Sequence, residues 1–236
     1  MKNLFFILAL LLSSSPALAA MDHSMHEIAD MPAMEHSAMN ESEKVFMHHQ
    51  NAQGSLTESD QAYTHINHTM HEAMAIDFTG NPDIDFLKGM IPHHQGAIDM
   101  AKVQLEYGRD GLLKSFTQRV IRDQEREIKF MKRNLATLEA NLGENVQNSL
   151  SNMAFGRVNQ NMHMDMNIEF SGNADSDFVN GMIPHHQGAV NMARVVLAYG
   201  KDPFARRLAY GIINAQESEI TWMKKWLSRK RLMQLF

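Results

Sequence analysis

The nine-residue run GMIPHHQGA occurs twice in this chain, at 89–97 and again, letter for letter, at 181–189. The two copies are 92 residues apart, and the similarity extends well beyond them. With that offset and no gap, 70–135 aligns with 162–227, and about half of the aligned positions are identical. A gapless match of this length indicates that the chain contains two copies of one structural unit.

Helical periodicity runs through both copies, and no segment has the alternating pattern of a strand. Asn81 precedes Pro82, and Asp110 precedes the next apolar segment; both are residue types that begin helices. Gly108 is suited to end the helix between them. The fold class is therefore predicted to be all-α, with four long helices and two shorter ones packed as one bundle. The first unit is expected at 57–143, with helices over 58–76, 81–107 and 110–142, and the second unit at 148–236.

The repeated histidines fall on buried helix faces. On the second helix of the first unit, Met90, His93 and His94 lie on the wide apolar arc. On the third helix, Glu127 and Met131 lie in an apolar seam. A buried carboxylate without a partner is costly, so we expect Glu127 to face an imidazole. The residues predicted to orient imidazoles in this way in the two units are Gln124, Glu127, Gln216 and Glu219.

Two interpretations of this pattern remain open. In the first, a glutamate–histidine hydrogen bond simply stabilises the bundle. In the second, imidazoles and flanking methionines bind a metal while the glutamate orients an imidazole; recurrence of the whole pattern in both units favours this one. Pro92 frees the carbonyl of Lys88, and the kink either redirects one histidine or only bends the helix around the core.

The composition narrows the choice of metal. The chain has 20 methionines and 13 histidines but no cysteine, which excludes disulfides, thiolate catalysis and cysteine-ligated zinc. Thioethers favour Cu(I), and imidazoles accept copper in either oxidation state. A di-iron bundle would need inward Glu-x-x-His pairs, and neither unit has one. Copper held for binding rather than turnover is therefore expected, with no catalytic residues. The net charge of −5 gives no reason to expect a nucleic-acid partner.

The N-terminal residues predict export. Lys2 is followed by an apolar run at 4–12 and by a small-residue cleavage pattern at 17–19, so 1–19 has the features of a signal peptide and the periplasm is the expected location. The apolar run is about half the ~20 residues of a membrane span, so the mature form is expected to have none. A retained inner-membrane anchor and cleavage after Ala20 are the alternatives.

Residues 20–56 are rich in methionine, histidine and acids and have no apolar period. Such a segment buries too little surface to order itself, so we predict a disordered arm. A tract of this kind captures metal by composition, although a solvated acidic linker is the alternative. The arm residues expected to capture metal are His23, Met25, His26, His36, His48 and His49.

The run D-F-x-x-G-M-I-P-H-H-Q-G-A-x-x-M-A, at 85–101 and 177–193, is followed in each unit by Q-E-x-E-I-x-x-M-K. These motifs resemble the bacterial family catalogued as domain of unknown function 305, which includes the CopM-like periplasmic copper metallochaperones, over roughly residues 57–230. The resemblance implies a ferritin-like bundle, export to the periplasm and copper binding. The ligands it implies are Met90, His93, His94, Met131, Met182, His185, His186 and Met223, with Met70, His71, Met74, Met162, His163 and Met166 as further candidates.

Three functions are compatible with the sequence. The first is a copper-binding protein that sequesters Cu(I) or Cu(II), or delivers copper to an exporting or receiving periplasmic protein. The second is a ferritin-like redox metalloenzyme, which would need an open coordination position. The third is a structural bundle that binds a partner through its basic C-terminal end. Because His65 and His68 have no histidine counterpart in the second unit, we expect two metal sites of unequal affinity.

Overall fold

Six helices, three from each repeat, build the part of the computed structural model that is described, residues 56–140 and 149–233. No strand occurs within these residues, so the predicted all-α class is confirmed there. The first helix ends three residues earlier than predicted. The predicted signal peptide and the metal-capturing residues of the arm lie outside the described residues. The helices are α1 Glu58–Ala73, α2 Pro82–Tyr107, α3 Gly111–Ala140, α4 Ser149–Asp165, α5 Ala174–Tyr199 and α6 Pro203–Met233.

Side-chain caps begin the helices where the sequence predicts them. The Oδ1 atom of Asn81 accepts hydrogen bonds from the backbone N–H of Asp83 at 3.0 Å and of Ile84 at 3.3 Å, at the start of α2. At the start of α3, Oδ1 of Asp110 accepts from the N–H of Leu113 at 2.9 Å. These bonds satisfy backbone donors that have no partner inside the helix.

Two aspartates near the starts of α2 and α5 bind the opposite repeat. Oδ2 of Asp83 accepts from the backbone N–H of Lys201 at 2.9 Å and of Asp202 at 3.1 Å. Asp175 does the same for the backbone of 109–110, at 2.9 and 3.0 Å. Each repeat thus hydrogen-bonds the loop that precedes the last helix of the other repeat.

Gly108 ends α2 as predicted, and this exchange adds a second requirement for glycine there. Its φ of −70° is extended rather than left-handed. A Cβ at this position would overlap Oδ1 of Asp175, so glycine is required by the close approach of that carboxylate. Gly200 has the same relation to Asp83.

Helices α2 and α5 pack against each other at the centre, with α1 and α3 on α2, and α4 and α6 on α5. Equivalent residues of the two repeats meet: His71 touches His163, and His93 touches His185. Contact between equivalent positions places both pairs on a pseudo-twofold axis that relates the repeats. The central pair brings both copies of the nonapeptide into the middle of the bundle.

Candidate metal centre

His93 and His185 contact each other in the interior. Both are fully buried, and their ring centroids are 3.7 Å apart. Nε2 of each ring lies 3.1 Å from the main-chain oxygen of the other residue. A carbonyl oxygen only accepts, so Nε2 carries the proton and the lone pair of the neutral ring is at Nδ1. Burial lowers the pKa of both rings well below the usual value, which keeps them neutral.

His94 and His186 each face a glutamate on the neighbouring helix. Nε2 of His94 lies 2.6 Å from Oε2 of Glu127, and Nε2 of His186 lies 2.7 Å from Oε2 of Glu219. The imidazoles are fully buried, whereas the glutamate side chains are 29 % and 21 % exposed. The contact predicted from the apolar seam is therefore present in both repeats, and it involves Nε2 and not Nδ1 of each imidazole.

Neighbouring histidines on one helix keep separate partners. The centroids of His93 and His94 are 6.1 Å apart, so the two rings do not converge on one point. Helix α2 is continuous through Pro92 from Pro82 to Tyr107. The His93–His185 contact across the axis was not predicted from the sequence. A pseudo-twofold axis can bring a residue next to the equivalent residue of the other repeat, so the repeat itself was the signal for this contact.

Four buried Nδ1 atoms without partners result from this arrangement. The Nδ1 atoms of the four imidazoles have no hydrogen-bond partner within the described residues. Met90 precedes His93 and His94 by three and four residues, so its side chain shares their helix face. Met131 follows Glu127 by one helical turn. These two methionines and their counterparts in the second repeat are fully buried, namely Met90, Met131, Met182 and Met223.

The predicted role of two glutamines beside a metal stays a prediction. Gln124 makes no hydrogen bond to an imidazole, because the glutamates occupy the Nε2 positions, and its Oε1 and Nε2 have no partner among the described residues. Oε1 of Gln216 is likewise without a partner. Of the four residues predicted to orient imidazoles, Glu127 and Glu219 are the two that contact one within the described residues.

His71 and His163 form a second group at a pocket of about 500 Å³. Their centroids are 4.6 Å apart, edge to face. Nδ1 of His71 donates to the carbonyl of Asn67 at 2.6 Å, which leaves a lone pair at Nε2, a buried atom without a described partner. Burial lowers the pKa of His71. His68 and Met166 also line this pocket, so first-helix residues of both repeats share one opening.

The other predicted methionines are core residues by position. Met70 and Met162 pack with their sulfur atoms where a Cβ of Gly96 or Gly188 would lie, which explains those two glycines of the repeated motif. The remaining buried methionines in this group are Met74 and Met166. Within 56–140 and 149–233, no three His, Asp or Glu side chains are placed together to hold a metal ion.

The fold and the site define an all-α protein with paired imidazoles and thioethers in its interior. The sequence matches the family described as Domain of unknown function (DUF305) over residues 14–136 and again over 83–227, and the chain belongs to that family. This confirms the resemblance read from the motifs, and two overlapping matches agree with the internal repeat.

Several proteins are similar to this chain. CopM in the Cu(I)-bound form is 35 % identical, with 62 % of this chain and 96 % of CopM covered and a TM-score of 0.48. A DUF305 fragment from Deinococcus radiodurans is 26 % identical, covering 63 % of this chain and 96 % of the fragment, with a TM-score of 0.47. Uncharacterized protein L153 of Acanthamoeba polyphaga mimivirus is 40 % identical over 58 residues, which are 25 % of this chain and 38 % of the viral protein. No helix in the described part of the chain is long and apolar enough to cross a membrane.

Proposed function

We propose that this chain is a periplasmic copper-binding protein that holds Cu(I) with thioether and imidazole donors and sequesters or delivers it, without turnover. The observation that carries the proposal is the set of four buried Nδ1 atoms with no hydrogen-bond partner in the described residues. An imidazole buried only for packing would be expected to satisfy both nitrogens. Nitrogen atoms left with a free lone pair are instead available as metal ligands.

The interior donors fit a soft monovalent ion. Thioether sulfur and neutral imidazole nitrogen are ligands that Cu(I) accepts without adding charge to an apolar interior. Glu127 and Glu219 would fix the ring orientation and make Nδ1 more basic, as carboxylates do behind metal-bound histidines. CopM, a relative by sequence, has been solved in Cu(I)-bound and Cu(II)-bound forms, which agrees with copper as the cargo.

Three parts of the chain have different roles in the proposed copper binding. The arm at 20–56 captures copper, the open His71–His163 pocket receives it, and the interior imidazoles with Met90, Met131 and their counterparts hold it. The repeats would then act as one ferritin-like bundle. The predicted inequality between the two repeats stays a prediction; the shared pocket would make the first-helix donors of both repeats contribute to one site.

The test uses glutamine in place of His94 and His186. A glutamine amide reaches about as far as Nε2 and keeps a donor for the glutamate, but it has no ligand atom at the Nδ1 position. We expect the His94→Gln/His186→Gln chain to remain helical and to lose Cu(I) affinity in competition with a chromogenic Cu(I) chelator. Glu125→Gln, at an exposed position of α3, is the control and should bind as the unaltered chain does. Equal Cu(I) affinity in all three chains would contradict the proposal.

A further inference from the structure

The last part of α6 is strongly basic. From 220 to 233 the helix contains no carboxylate, and its five cations are Lys224, Lys225, Arg229, Lys230 and Arg231. Lys230 pairs with Asp110 at 2.8 Å, and the other four cations form no ion pair within the described residues. Residues 224–233, the basic end of α6, therefore carry positive charge that no acid of the described chain neutralises.

The repeat does not require this charge. Residues 137–139 are the first-repeat equivalents of 229–231, and they are threonine, leucine and glutamate. The last helix of the first repeat thus packs in the same way without the basic cluster. Cations can also complement the dipole at a helix end, but that effect fades within the last turn, and Lys224 and Lys225 lie before it.

The start of α3 lies beside the basic end of α6. Trp222 stacks on Phe116 of α3, with 4.1 Å between ring centroids and 2° between ring planes. The guanidinium carbon of Arg119 lies 5.9 Å from the centroid of the Phe116 ring, which places another exposed cation nearby. Trp222 also lines an open surface hollow together with Lys224, Lys225 and Arg229. A half-buried aromatic side chain is therefore surrounded by cations.

Exposed apolar side chains complete this surface. Leu232 is 59 % exposed and Met233 is 74 % exposed at the end of α6. Lys225, Arg229 and Met233 follow one another at intervals of four residues, so they share one face of the helix. This combination is typical of helices that lie on anionic membranes, where Lys and Arg meet the headgroups and apolar side chains enter the lipid.

We propose that the basic end of α6 binds the surface of a membrane that contains anionic lipids. Lys224, Lys225 and Arg229 contact the lipid phosphates, and the apolar residues at 232 and 233 enter the boundary between headgroups and acyl chains. An acidic protein surface would also attract the cations, but the exposed apolar pair favours lipid. None of the proposed copper ligands takes part, so the inference does not depend on the copper proposal.

The test measures sedimentation of the predicted mature chain, 20–236, with vesicles of phosphatidylglycerol and phosphatidylcholine in equal parts, and with vesicles of phosphatidylcholine alone. Residues 1–19 are left out because their apolar run would bind vesicles by itself. We expect binding to the anionic vesicles alone, weakened by salt because the charges are exposed. Lys224→Gln/Lys225→Gln should weaken binding by about 25-fold, or about fivefold for each cation removed.

The matched control changes the equivalent positions of the first repeat. Lys132→Gln/Arg133→Gln removes two exposed cations near the end of α3, where 137–139 are not basic, and should bind as the unaltered chain does. Equal vesicle binding by these two variants, or binding that does not require the anionic lipid, would overturn the inference.

A third variant tests the apolar contribution separately from the charge. Leu232→Gln/Met233→Gln keeps every cation and should also weaken vesicle binding, because its side chains no longer enter the lipid. Both positions are exposed, so the circular dichroism spectrum should not change. Vesicle binding equal to that of the unaltered chain would contradict the proposed insertion and overturn the inference.

Discussion

Replacing Glu127 by glutamine measures how much the carboxylate charge of Glu127 contributes to the stability of its contact with His94. Nε2 of His94 lies 2.6 Å from Oε2 of Glu127; the imidazole is fully buried and the glutamate side chain is 29 % exposed. A hydrogen bond to a charged group contributes about 1.5–3 kcal/mol and a neutral one about 0.5–1.5 kcal/mol, and glutamine keeps an acceptor oxygen. Because the carboxylate is partly exposed, we expect Glu127→Gln to lower the free energy of unfolding by about 1 kcal/mol. For a chain of this size that is a fall in melting temperature of about 2–4 °C.

Thermal unfolding of the metal-free chain, followed by circular dichroism, measures this difference. Glu125→Gln removes the same charge two residues away at an exposed position and should change stability by less than about 0.5 kcal/mol. The Cu(I) affinity of Glu127→Gln should also fall by about 10–100-fold, because the neutral amide makes Nδ1 of His94 less basic. Equal melting temperatures for the two variants would refute the reasoning.

Two further perturbations test the packing and the protonation of the interior. Gly96→Ala should destabilise the chain by about 1–3 kcal/mol, because the new Cβ would overlap the sulfur of Met70. Gly211→Ala, where a Cβ meets no atom within 4 Å, should stabilise α6 by about 0.5–1 kcal/mol, so urea midpoints that shift in the same direction for both variants would contradict this account. Burial lowers the pKa of His93 and His185 in the folded chain, so below a pH of about 6.5 the unfolded chain binds more protons and stability falls as the pH falls. The slope should approach about 1.4 kcal/mol per pH unit for each histidine, and urea unfolding of a His93→Gln/His185→Gln chain across this range should show a shallower dependence.

Local signals in the sequence were sufficient to predict the helices and the residues at which they begin. Asn81 and Asp110 cap where their side-chain chemistry predicts, because a cap depends only on residues three positions away. An imidazole partner for Glu127 also followed from the sequence, since a carboxylate in an apolar seam needs a partner on the facing helix, and the structure identifies that imidazole as His94. These predictions succeeded because the neighbouring helix is joined by a short connection.

Contacts between the repeats could not be predicted from local signals in the same way. The structure places the carboxylate of Asp83 on the backbone at Lys201 and Asp202, a contact that no residue near Asp83 predicts. Gly108 ends α2 as its propensity predicts, but its close contact with Asp175 was not predicted. Both depend on how two distant segments dock, which periodicity within one segment does not contain.

Identifying the ligand atoms around bound copper is the measurement closest to the central claim, that the buried imidazoles bind copper. One equivalent of Cu(I) per chain, studied by X-ray absorption at the copper edge, should show both sulfur and nitrogen neighbours. A chain with glutamine at all four interior histidines should lose the nitrogen neighbours and bind Cu(I) more weakly; these positions are His93, His94, His185 and His186. Identical absorption spectra and affinities in the two chains would contradict the assignment of the buried imidazoles as copper ligands.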